Sequence, residues 1–342
     1  MSGEPLLDVR DLRTHFHTDA GVARAVDGAS FSISAGECVA LVGESGCGKS
    51  VTSLSIMRLL PSPPAKHAGG EVIFDGRNLP SLTERQMQQV RGAQIAMIFQ
   101  EPQSALNPVF TVGEQVSEAY LIHNPGARAK EAWEKTIECF QSVGIADPTK
   151  RVNDYPHQLS GGMKQRVCIA MALICNPKLL IADEPTTALD VTIQAQILDL
   201  LRDLQQKRGL ALLLITHDLG VVAEMAKRIY VMYAGKVVEA GATEDVFAKP
   251  LHPYTQGLMR ARPDPTRRGH KRLAVIPGIV PAATQFKDDC RFRDRCPLAD
   301  GKCEKEPELK EWRPAHRAAC WNTSAEGVKA WDVEPAAKGG GA

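Results

Sequence analysis

The sequence has no surplus of charge, no long hydrophobic run and no apolar leader. Its 41 Lys and Arg nearly balance 40 Asp and Glu, so the net charge of +1 offers no hint of a surface for nucleic acid or an anionic membrane. The longest apolar run, Val167–Cys175, is far shorter than the ~20 residues of a membrane span. The opening MSGEPLLDVR carries Asp8 and Arg10 where a secretory leader would be apolar. We therefore expect a cytosolic chain, where thiols stay reduced and structural disulfides are rare.

Short apolar strands alternate with helical segments over the first 260 or so residues. The segments CVALV, QIAMIFQ, KLLIADEP and LALLLITHD are typical of buried strands, whereas VTSLSIMRLL, QRVCIAMALIC and TIQAQILDLLRDLQQKRG have helical patterns. Residues 105–158 are mostly helical in pattern, and RIYVMYAGKVVEAG predicts a closing hairpin. This alternation predicts an α/β fold with a mostly parallel sheet covered on both faces.

The composition and patterning of the sequence change from about Pro263 onward. Prolines and charges become frequent, long periodic segments disappear, and the chain ends in the glycine-rich AAKGGGA. We expect a small C-terminal appendage with a disordered tail. Three arginines in it, Arg291, Arg293 and Arg295, are expected to lie in a solvated linker rather than on a nucleic-acid surface.

The segment GESGCGKS lies between an apolar strand and a helical segment. It matches the pattern G-x-x-x-x-G-K-[ST], whose glycines let backbone N–H groups converge on phosphate oxygens at a helix N-terminus. Lys49 is expected to bridge the β- and γ-phosphates of ATP, and the Ser50 hydroxyl to bind Mg²⁺. The competing interpretation, a chance glycine-rich turn, does not explain why a strand precedes the segment and a helix follows it. The predicted phosphate-binding residues are Gly43, Glu44, Ser45, Gly46, Cys47, Gly48, Lys49, Ser50 and Val51.

Two acidic residues end the strand LLIADEP. Asp183 is placed to hold Mg²⁺, directly or through water, and Glu184 to act as the base that polarises an attacking water. Two solvent-facing acids would not explain the four apolar residues before them. Hydrolysis of ATP is therefore predicted. By pattern alone, Gln100 after AMIF and His217 in LITHD indicate no role.

The motif LSGGMKQR, between the phosphate loop and LLIADEPTTALD, supplies a family resemblance. Together these motifs resemble the ATP-binding subunits of ABC transporters, over about Leu6 to Ala261. The resemblance implies a P-loop NTPase (RecA-like) core with an antiparallel β-subdomain and an inserted α-helical subdomain. It also implies that nucleotide is bound between two subunits arranged head to tail.

The physical chemistry of the LSGGM motif agrees with that arrangement. Ser160 is a good helix N-cap, and Gly161 and Gly162 remove side chains where the helix begins. The result is a second anion-binding helix end. Since the chain already has a phosphate loop, this second end is expected to act on the partner subunit's ATP.

The resemblance assigns further roles, residue by residue. Gln100 is the expected Q-loop glutamine near Mg²⁺, the attacking water and the membrane partner. His217 is the expected switch histidine at the γ-phosphate. Asp190 is expected in the loop that crosses to the opposite subunit. Phe16, more than His17, is expected to stack on adenine, and a place in the core is the competing interpretation of Phe16.

The resemblance also predicts subdomain boundaries. Residues 5–104 and 164–261 would form the ATP-binding core with its β-subdomain, and residues 105–163 the helical signature subdomain. Residues 262–325 would form a C-terminal extension with four cysteines, and residues 326–342 a disordered tail.

QEPQSALNPVFTVGEQ, PLHPYTQGLMRA and IPGIVP resemble the dipeptide and oligopeptide importer branch. This implies two transmembrane permease subunits, a second and paralogous ATP-binding subunit, and indirectly an extracytoplasmic peptide-binding protein, with no nucleic acid. The chain would sit peripherally on the cytoplasmic face of the inner membrane.

Three rival functions compete with peptide import. Importers of nickel- or glutathione-type solutes share the sequence segments on which the resemblance to the peptide branch rests. A soluble iron–sulfur ABC protein acting on ribosomes or DNA would usually carry twin cassettes or a long coiled-coil insertion, and this chain has one cassette and no such insertion. A redox- or metal-sensing module with vestigial ATPase activity would not need the intact Glu184.

Four of the nine cysteines lie in the predicted extension, at Cys290, Cys296, Cys303 and Cys320. They are separated by five, six and sixteen residues, with no close pair of the kind that structural zinc prefers. A [4Fe–4S] cluster tolerates looser spacing, and the importer resemblance points the same way. We expect a structural or regulatory [4Fe–4S] cluster that staples a small appendage with little apolar content. Zinc and reduced thiols are the competing interpretations.

Overall fold

The computed structural model describes residues 4–100, 105–187, 189–261 and 275–329. The chain divides into two compact units: Met1–Leu7, Ser32–Cys38 and Ile73–Ile215 form the first, and Asp8–Phe31, Val39–Val72 and Thr216–Ala342 form the second. The glycine-rich tail, for which disorder is predicted, and most of the basic stretch after Pro263 lie outside the described residues.

The strands, in chain order, are β1 Leu7–Thr18, β2 Gly21–Ile33, β3 Cys38–Val42, β4 Ala65–Phe74, β5 Arg77–Asn78, β6 Ile95–Ile98, β7 Leu179–Asp183, β8 Ala211–Thr216, β9 Arg228–Tyr233, β10 Lys236–Ala242, β11 Lys310–Arg313 and β12 His316–Ala318. The helices are α1 Lys49–Ile56, α2 Glu84–Gln88, α3 Val112–His123, α4 Ala129–Ser142, α5 Pro148–Arg151, α6 Gly161–Leu173, α7 Val191–Arg208, α8 Leu219–Met225, α9 Thr243–Ala248 and α10 Pro253–Arg260.

Parallel strands in the order β8-β7-β6 form the centre of the first unit. Leu179 of β7 aligns with Ile95 on one side and Ala211 on the other, and all five residues of β7 are buried. Continuous apolar runs of this kind are what a parallel sheet covered on both faces requires. The predicted α/β fold with a parallel sheet is confirmed.

The helices of the first unit follow the sequence signals at their ends. Thr111 and Glu114 form a capping box at the start of α3, each side chain accepting a hydrogen bond from the other's backbone N–H. Gly209, with φ 61°, ends α7 in the left-handed conformation that glycine adopts most easily. Helix α6 is the predicted apolar helix, with Val167 and Ile169 in its buried interior. Among the described helices, none is long and apolar enough to cross a lipid bilayer.

The second unit contains the predicted hairpin and two strands that the sequence analysis missed. β3 pairs in parallel with β9, and β9 pairs antiparallel with β10, as expected for RIYVMYAGKVVEAG. Beyond them, β12 pairs antiparallel with β10, Glu239 aligning with Ala318, and β11 pairs with β12. Residues 275–329, here called the C-terminal segment, therefore contribute two strands to the sheet. The sequence analysis missed them because strands of four and three residues are too short to produce a periodic pattern.

Two of the three arginines expected in a solvated linker are buried, which corrects that expectation. The side chains of Arg291 and Arg295 are each 5% exposed, whereas that of Arg293 is 36% exposed. Arg291 forms an ion pair with Asp27 and also donates to the carbonyl of Ala234, 2.5 Å away. A sequence pattern cannot distinguish a buried, paired arginine from a solvated one, because the difference lies in distant partners.

An aromatic cluster lies beside Arg295. The ring of Phe292 lies 5.2 Å from that of Tyr233 and 5.4 Å from that of Tyr254, and all three side chains are fully buried. Edge-on and tilted ring pairs at such distances are favourable. The C-terminal segment is therefore held by strand pairing and by an aromatic core, neither of which the sequence analysis predicted.

Candidate functional site

The phosphate loop runs from a buried strand into a helix, as the motif requires. All five residues of β3 are buried, and α1 begins at Lys49. Gly48 precedes the helix with φ 98°, and a Cβ atom there would lie 2.4 Å from the carbonyl oxygen of Ala25. Because an L side chain fits neither that φ nor that space, the position requires glycine. Glycine here thus lets the loop turn directly into the N-terminus of α1, the kind of helix end that binds phosphate.

The side chain of Lys49 is held against the phosphate loop by two carbonyl groups of that loop. The residue is 5% exposed, and its Nζ donates to Gly43 O at 2.8 Å and Glu44 O at 2.9 Å. Lysine has three donors, so the ammonium is already oriented within the phosphate-binding loop. The residues present fit a nucleotide phosphate.

The acidic end of β7 is organised around Glu184. Gln100 Nε2 and Thr187 Oγ1 each donate to Glu184 Oε2 at 3.1 Å, and the Glu184 amide donates to Ile215 O at 2.9 Å. Glu184 has φ 46°, a left-handed conformation that is uncommon for glutamate and that clusters at functional sites. The structure therefore brings together two residues, Gln100 and Glu184, that lie 84 positions apart in the sequence.

Asp183 directly precedes this group as the last residue of β7 and is 3% exposed. Its carboxylate, the Ser50 hydroxyl and the Gln100 amide oxygen are the oxygen ligands that Mg²⁺ prefers. The donor types named from the sequence thus fit this cation.

The LSGGM segment starts α6 as predicted. Ser160 Oγ accepts from the backbone N–H of Met163 at 3.4 Å, so it caps the helix. A Cβ atom on Gly162 would lie 2.8 Å from Ile193 Cγ2, so glycine here also allows α6 and α7 to approach closely. Asp190 caps α7 by accepting from Ile193 N at 2.9 Å.

Gln165 makes a contact that the sequence analysis did not identify. It is completely buried within α6, and its Nε2 donates to the carbonyl of Pro185 at 2.6 Å, one residue after Glu184. It therefore joins the LSGGM helix to the chain that follows the predicted base. Only its place in LSGGMKQR could have indicated it.

The remaining predicted residues are placed as follows. Phe16 lies in β1 and is half-buried, and His217 is exposed just after β8. Gln100, Ser160, Asp183, Glu184 and Asp190 belong to the first unit, whereas Phe16, the phosphate loop and His217 belong to the second.

Glu44 of the phosphate loop has two partners that no motif predicted. Its amide donates to the Tyr254 hydroxyl at 2.7 Å, and Arg295 donates to both of its carboxylate oxygens, at 2.7 and 3.0 Å. Burial alone would lower the pKa of Arg295, but its hydrogen bonds to Glu44 and Tyr233 outweigh burial and raise it. The arginine therefore stays charged against the loop.

The four clustered cysteines gather, but without a metal-binding arrangement. Burial raises the pKa of Cys290 and Cys320 to about 12 and that of Cys296 to about 11, and for Cys320 the charges of the other three thiols add to the rise. In the part of the chain that the structure describes, no group of three or more His, Cys, Asp or Glu side chains could hold a metal ion. The predicted [4Fe–4S] site is therefore not supported by this geometry.

Comparison with known protein families identifies two matches along the chain. Residues 26–187 match the family described as ABC transporter, and residues 238–303 match the C-terminal region of oligopeptide/dipeptide transporters. The second match includes part of the C-terminal segment, up to Cys303.

The chain is also similar to individual proteins over nearly its full length. It is 58% identical over 320 residues to the probable peptide ABC transporter ATP-binding protein y4tR of Sinorhizobium fredii, covering 93% of this chain and 95% of that protein. It is 49% identical over 316 residues to the dipeptide transport ATP-binding protein DppD of Escherichia coli, covering 92% and 96%. A solved dimeric structure of MJ0796, a bacterial ABC transporter cassette, superposes with a TM-score of 0.62 at 29% identity, covering 69% of this chain and 98% of that one.

The phosphate loop, the Gln100–Glu184 contact and the Ser160-capped helix are the parts that an ATP-binding cassette requires, and the similar proteins agree with that assignment. The chain belongs to the ABC transporter family, as an ATP-binding subunit of its peptide-importer branch.

Proposed function

We propose that this chain hydrolyses ATP to energise an importer of di- or oligopeptides. The observation that carries the proposal is the group at the end of β7, where Gln100 and Thr187 both donate to the carboxylate of Glu184. A carboxylate held by two donors, after a strand that ends in Asp183, is positioned to accept a proton from water. The similarity to peptide and dipeptide transport ATP-binding proteins supports the choice of solute.

Each residue then has a definite task in the reaction. Lys49 exchanges its two loop carbonyls for phosphate oxygens and neutralises charge that develops on the γ-phosphate. Glu184 polarises the attacking water, and Gln100 orients that carboxylate and the water. Bound Mg²⁺ supplies further charge neutralisation at the phosphates, with Ser50, Gln100 and Asp183 as its protein ligands. His217 contacts the γ-phosphate, and Phe16 stacks on the adenine.

We also propose that two ATP-binding subunits enclose the nucleotide head to tail. The Ser160-capped end of α6 presents backbone N–H groups with a favourable dipole, which suit the γ-phosphate held by a partner subunit. Gly161 contributes to this end, and Asp190 crosses toward the partner. The dimeric structure of the similar cassette supports this arrangement. The partner is a paralogue, so the two sites are not identical.

The membrane partners are two permease subunits, served by an extracytoplasmic peptide-binding protein. The chain then lies peripherally on the cytoplasmic face of the membrane. Exposed apolar side chains on the segment 105–163 support a contact there: Val109 is 71% exposed, Phe110 50% and Ile122 67%. Large exposed apolar side chains close in sequence favour a protein contact over solvent. The subdomain boundaries predicted from the sequence, 5–104 with 164–261, 105–163 and 262–325, are part of this proposal.

Affinity purification from solubilised membranes, together with labelled-peptide uptake, tests the proposal. We expect the tagged chain to recover two membrane subunits and a second ATP-binding subunit, and its deletion to abolish uptake of a labelled dipeptide. Uptake loss confined to nickel or glutathione would indicate the related importers instead. Recovery only with ribosomes or DNA would show that the protein is a soluble ABC protein of another kind.

The [4Fe–4S] cluster stays a prediction from cysteine spacing and family resemblance. The proximity of the four thiols supports it, and the lack of a metal-holding group among the described side chains weighs against it. Anaerobic purification followed by iron, sulfide and zinc analysis decides whether the chain holds an iron–sulfur cluster, a zinc ion or no metal. About four irons per chain, lost in Cys296→Ser, would support the cluster. One zinc, or no metal, would exclude it.

A further inference from the structure

Glu44 is an acidic residue within an anion-binding loop. It follows Gly43 directly, and its carbonyl is one of the two that hold Lys49. Its side chain is 32% exposed, so the carboxylate is not removed from solution by burial. A negative charge free to move in this loop would repel the phosphates of ATP.

Arg295 fixes this carboxylate. Its two terminal nitrogens donate to the two Glu44 oxygens at 2.7 and 3.0 Å, a bidentate contact that determines the orientation as well as the charge. The Glu44 backbone is fixed too, because its amide donates to Tyr254 Oη at 2.7 Å. Both constraints come from elements that follow the ATP-binding motifs in the chain.

Arg295 is itself rigidly held. Its Nε donates to the carbonyl of Pro277, in IPGIVP, at 2.8 Å, and its guanidinium lies over the rings of Tyr233 and Phe292 at 5.7 and 6.0 Å. Its side chain is 5% exposed. An arginine fixed on three sides can impose its geometry on the more exposed partner, Glu44.

We propose that Arg295 is a positioning residue for ATP binding, through which the C-terminal segment sets the conformation and charge of the phosphate loop. Arg295 turns the Glu44 carboxylate away from the phosphate-binding amides and neutralises it. The inference rests on the proposed function only in that the loop binds ATP.

A double-mutant cycle on the full-length chain tests the proposal. We expect Arg295→Gln to weaken ATP binding about tenfold, or ~1.4 kcal/mol, because the freed carboxylate repels the phosphates. In the assembled transporter the same variant should raise KM for ATP with little change in kcat. Glu44→Gln removes the carboxylate and keeps the loop amide, so its ATP affinity is the reference for the second arm of the cycle. In that background Arg295→Gln should have little further effect, because no carboxylate remains to be restrained.

Matched variants separate positioning from folding. Arg293 lies in the same short 3-10 turn but pairs with Glu304 and Asp289, so Arg293→Gln should leave ATP affinity at the wild-type value. Arg295→Lys keeps the charge without the fork and should give an intermediate affinity. If Arg295→Gln fails to fold, Arg295→Lys alone and with Glu44→Gln completes the cycle.

Wild-type ATP affinity in a folded Arg295→Gln chain would overturn the proposal. So would an equal loss of affinity with and without Glu44→Gln, since a structural role does not need the carboxylate. These measurements use no peptide, so failure of peptide import would leave their result intact.

Discussion

Glu184, the proposed catalytic base, is held in both its backbone and its side chain by neighbouring residues. Its left-handed backbone is fixed through the bond to Ile215 O, and its carboxylate is fixed through Gln100 and Thr187. Such a conformation costs about 1–3 kcal/mol and persists only when neighbouring contacts enforce it. The presence of this costly backbone conformation at Glu184 is consistent with a carboxylate that must point in one direction to act on water.

Replacing Glu184 by Gln is expected to lower the ATP hydrolysis rate by about 10²- to 10⁴-fold, because the amide cannot accept a proton from water. ATP binding should persist, since the side chain keeps its size. Steady-state phosphate release and nucleotide binding measure the two effects. Replacing Glu131, an exposed residue of α4, by Gln is the matched control and should leave both unchanged. Undiminished turnover in the Glu184 variant would refute its role.

His252 is a second residue whose surroundings make a measurable difference. It caps α10, its Nδ1 accepting from Tyr254 N at 3.1 Å, and it is 1% exposed. Burial lowers its pKa from 6.5 to about 3, although a backbone hydrogen bond at Ala319 opposes the shift.

The folded chain therefore keeps His252 neutral at a pH where the unfolded chain protonates it. Its contribution to stability is present above pH 6.5 and is lost as the pH falls toward 3, by about 2 kcal/mol at pH 5. Urea unfolding at pH 7.5 and pH 5 measures this loss. His252→Asn retains a capping side chain without the titration, so it should lose less stability between the two pH values. Equal losses in the two proteins would contradict the assignment.

At the scale of elements, the sequence identified those with a strong local pattern. The buried strands β3 and β7, the phosphate loop and the Ser160-capped α6 all follow from apolar runs, glycines and caps within a few residues. Gln100 and Glu184, in contrast, meet only through the parallel alignment of β6 and β7. Their contact could be inferred from the family resemblance but not from spacing.

The C-terminal segment was the least predictable element. Strands β11 and β12 are too short for a periodic pattern, and the partners of Arg291 and Arg295 lie 264 and 251 residues away. Nothing local distinguishes such arginines from solvated ones. Composition suggested a segment too poor in apolar residues to hold itself, whereas one aromatic, Phe292, packs into a cluster with Tyr233 and Tyr254.

Truncating Phe292 to Ala is therefore expected to cost about 3–5 kcal/mol of folding free energy, because it leaves a cavity in a buried cluster. Ile279→Ala is the matched control: its side chain is 86% exposed, and its loss should change stability little. Denaturant unfolding of both variants makes the comparison. If both lose equally little, the C-terminal segment does not depend on its aromatic core.

At the scale of the whole molecule, the proposed enclosure of ATP between two subunits requires two copies of the ATP-binding fold. The capped end of α6 bears on this directly, since its N–H groups suit an anion and Ser160 is exposed. A carboxylate placed there would keep the cap but repel a triphosphate.

In a Glu184→Gln background, where ATP is not turned over, Ser160→Asp is expected to abolish ATP-dependent association, whereas Ser160→Asn should preserve it. Both residues are good N-caps, so folding should be alike and only the charge should differ. Size-exclusion chromatography with light scattering, with and without ATP, reports association with the partner subunit. Association of the Asp variant as tight as that of the Asn variant would show that α6 does not face the nucleotide.

The pairing of β12 with β10 has a practical consequence for gene engineering. Until residues 316–318 leave the ribosome, β10 presents an unpaired edge, and such edges promote aggregation. A stop codon placed after the ATP-binding motifs but before His316 would thus yield an insoluble product, even with every residue of the proposed ATP site encoded. Fusion partners should instead be attached beyond Lys329, where they leave the sheet complete.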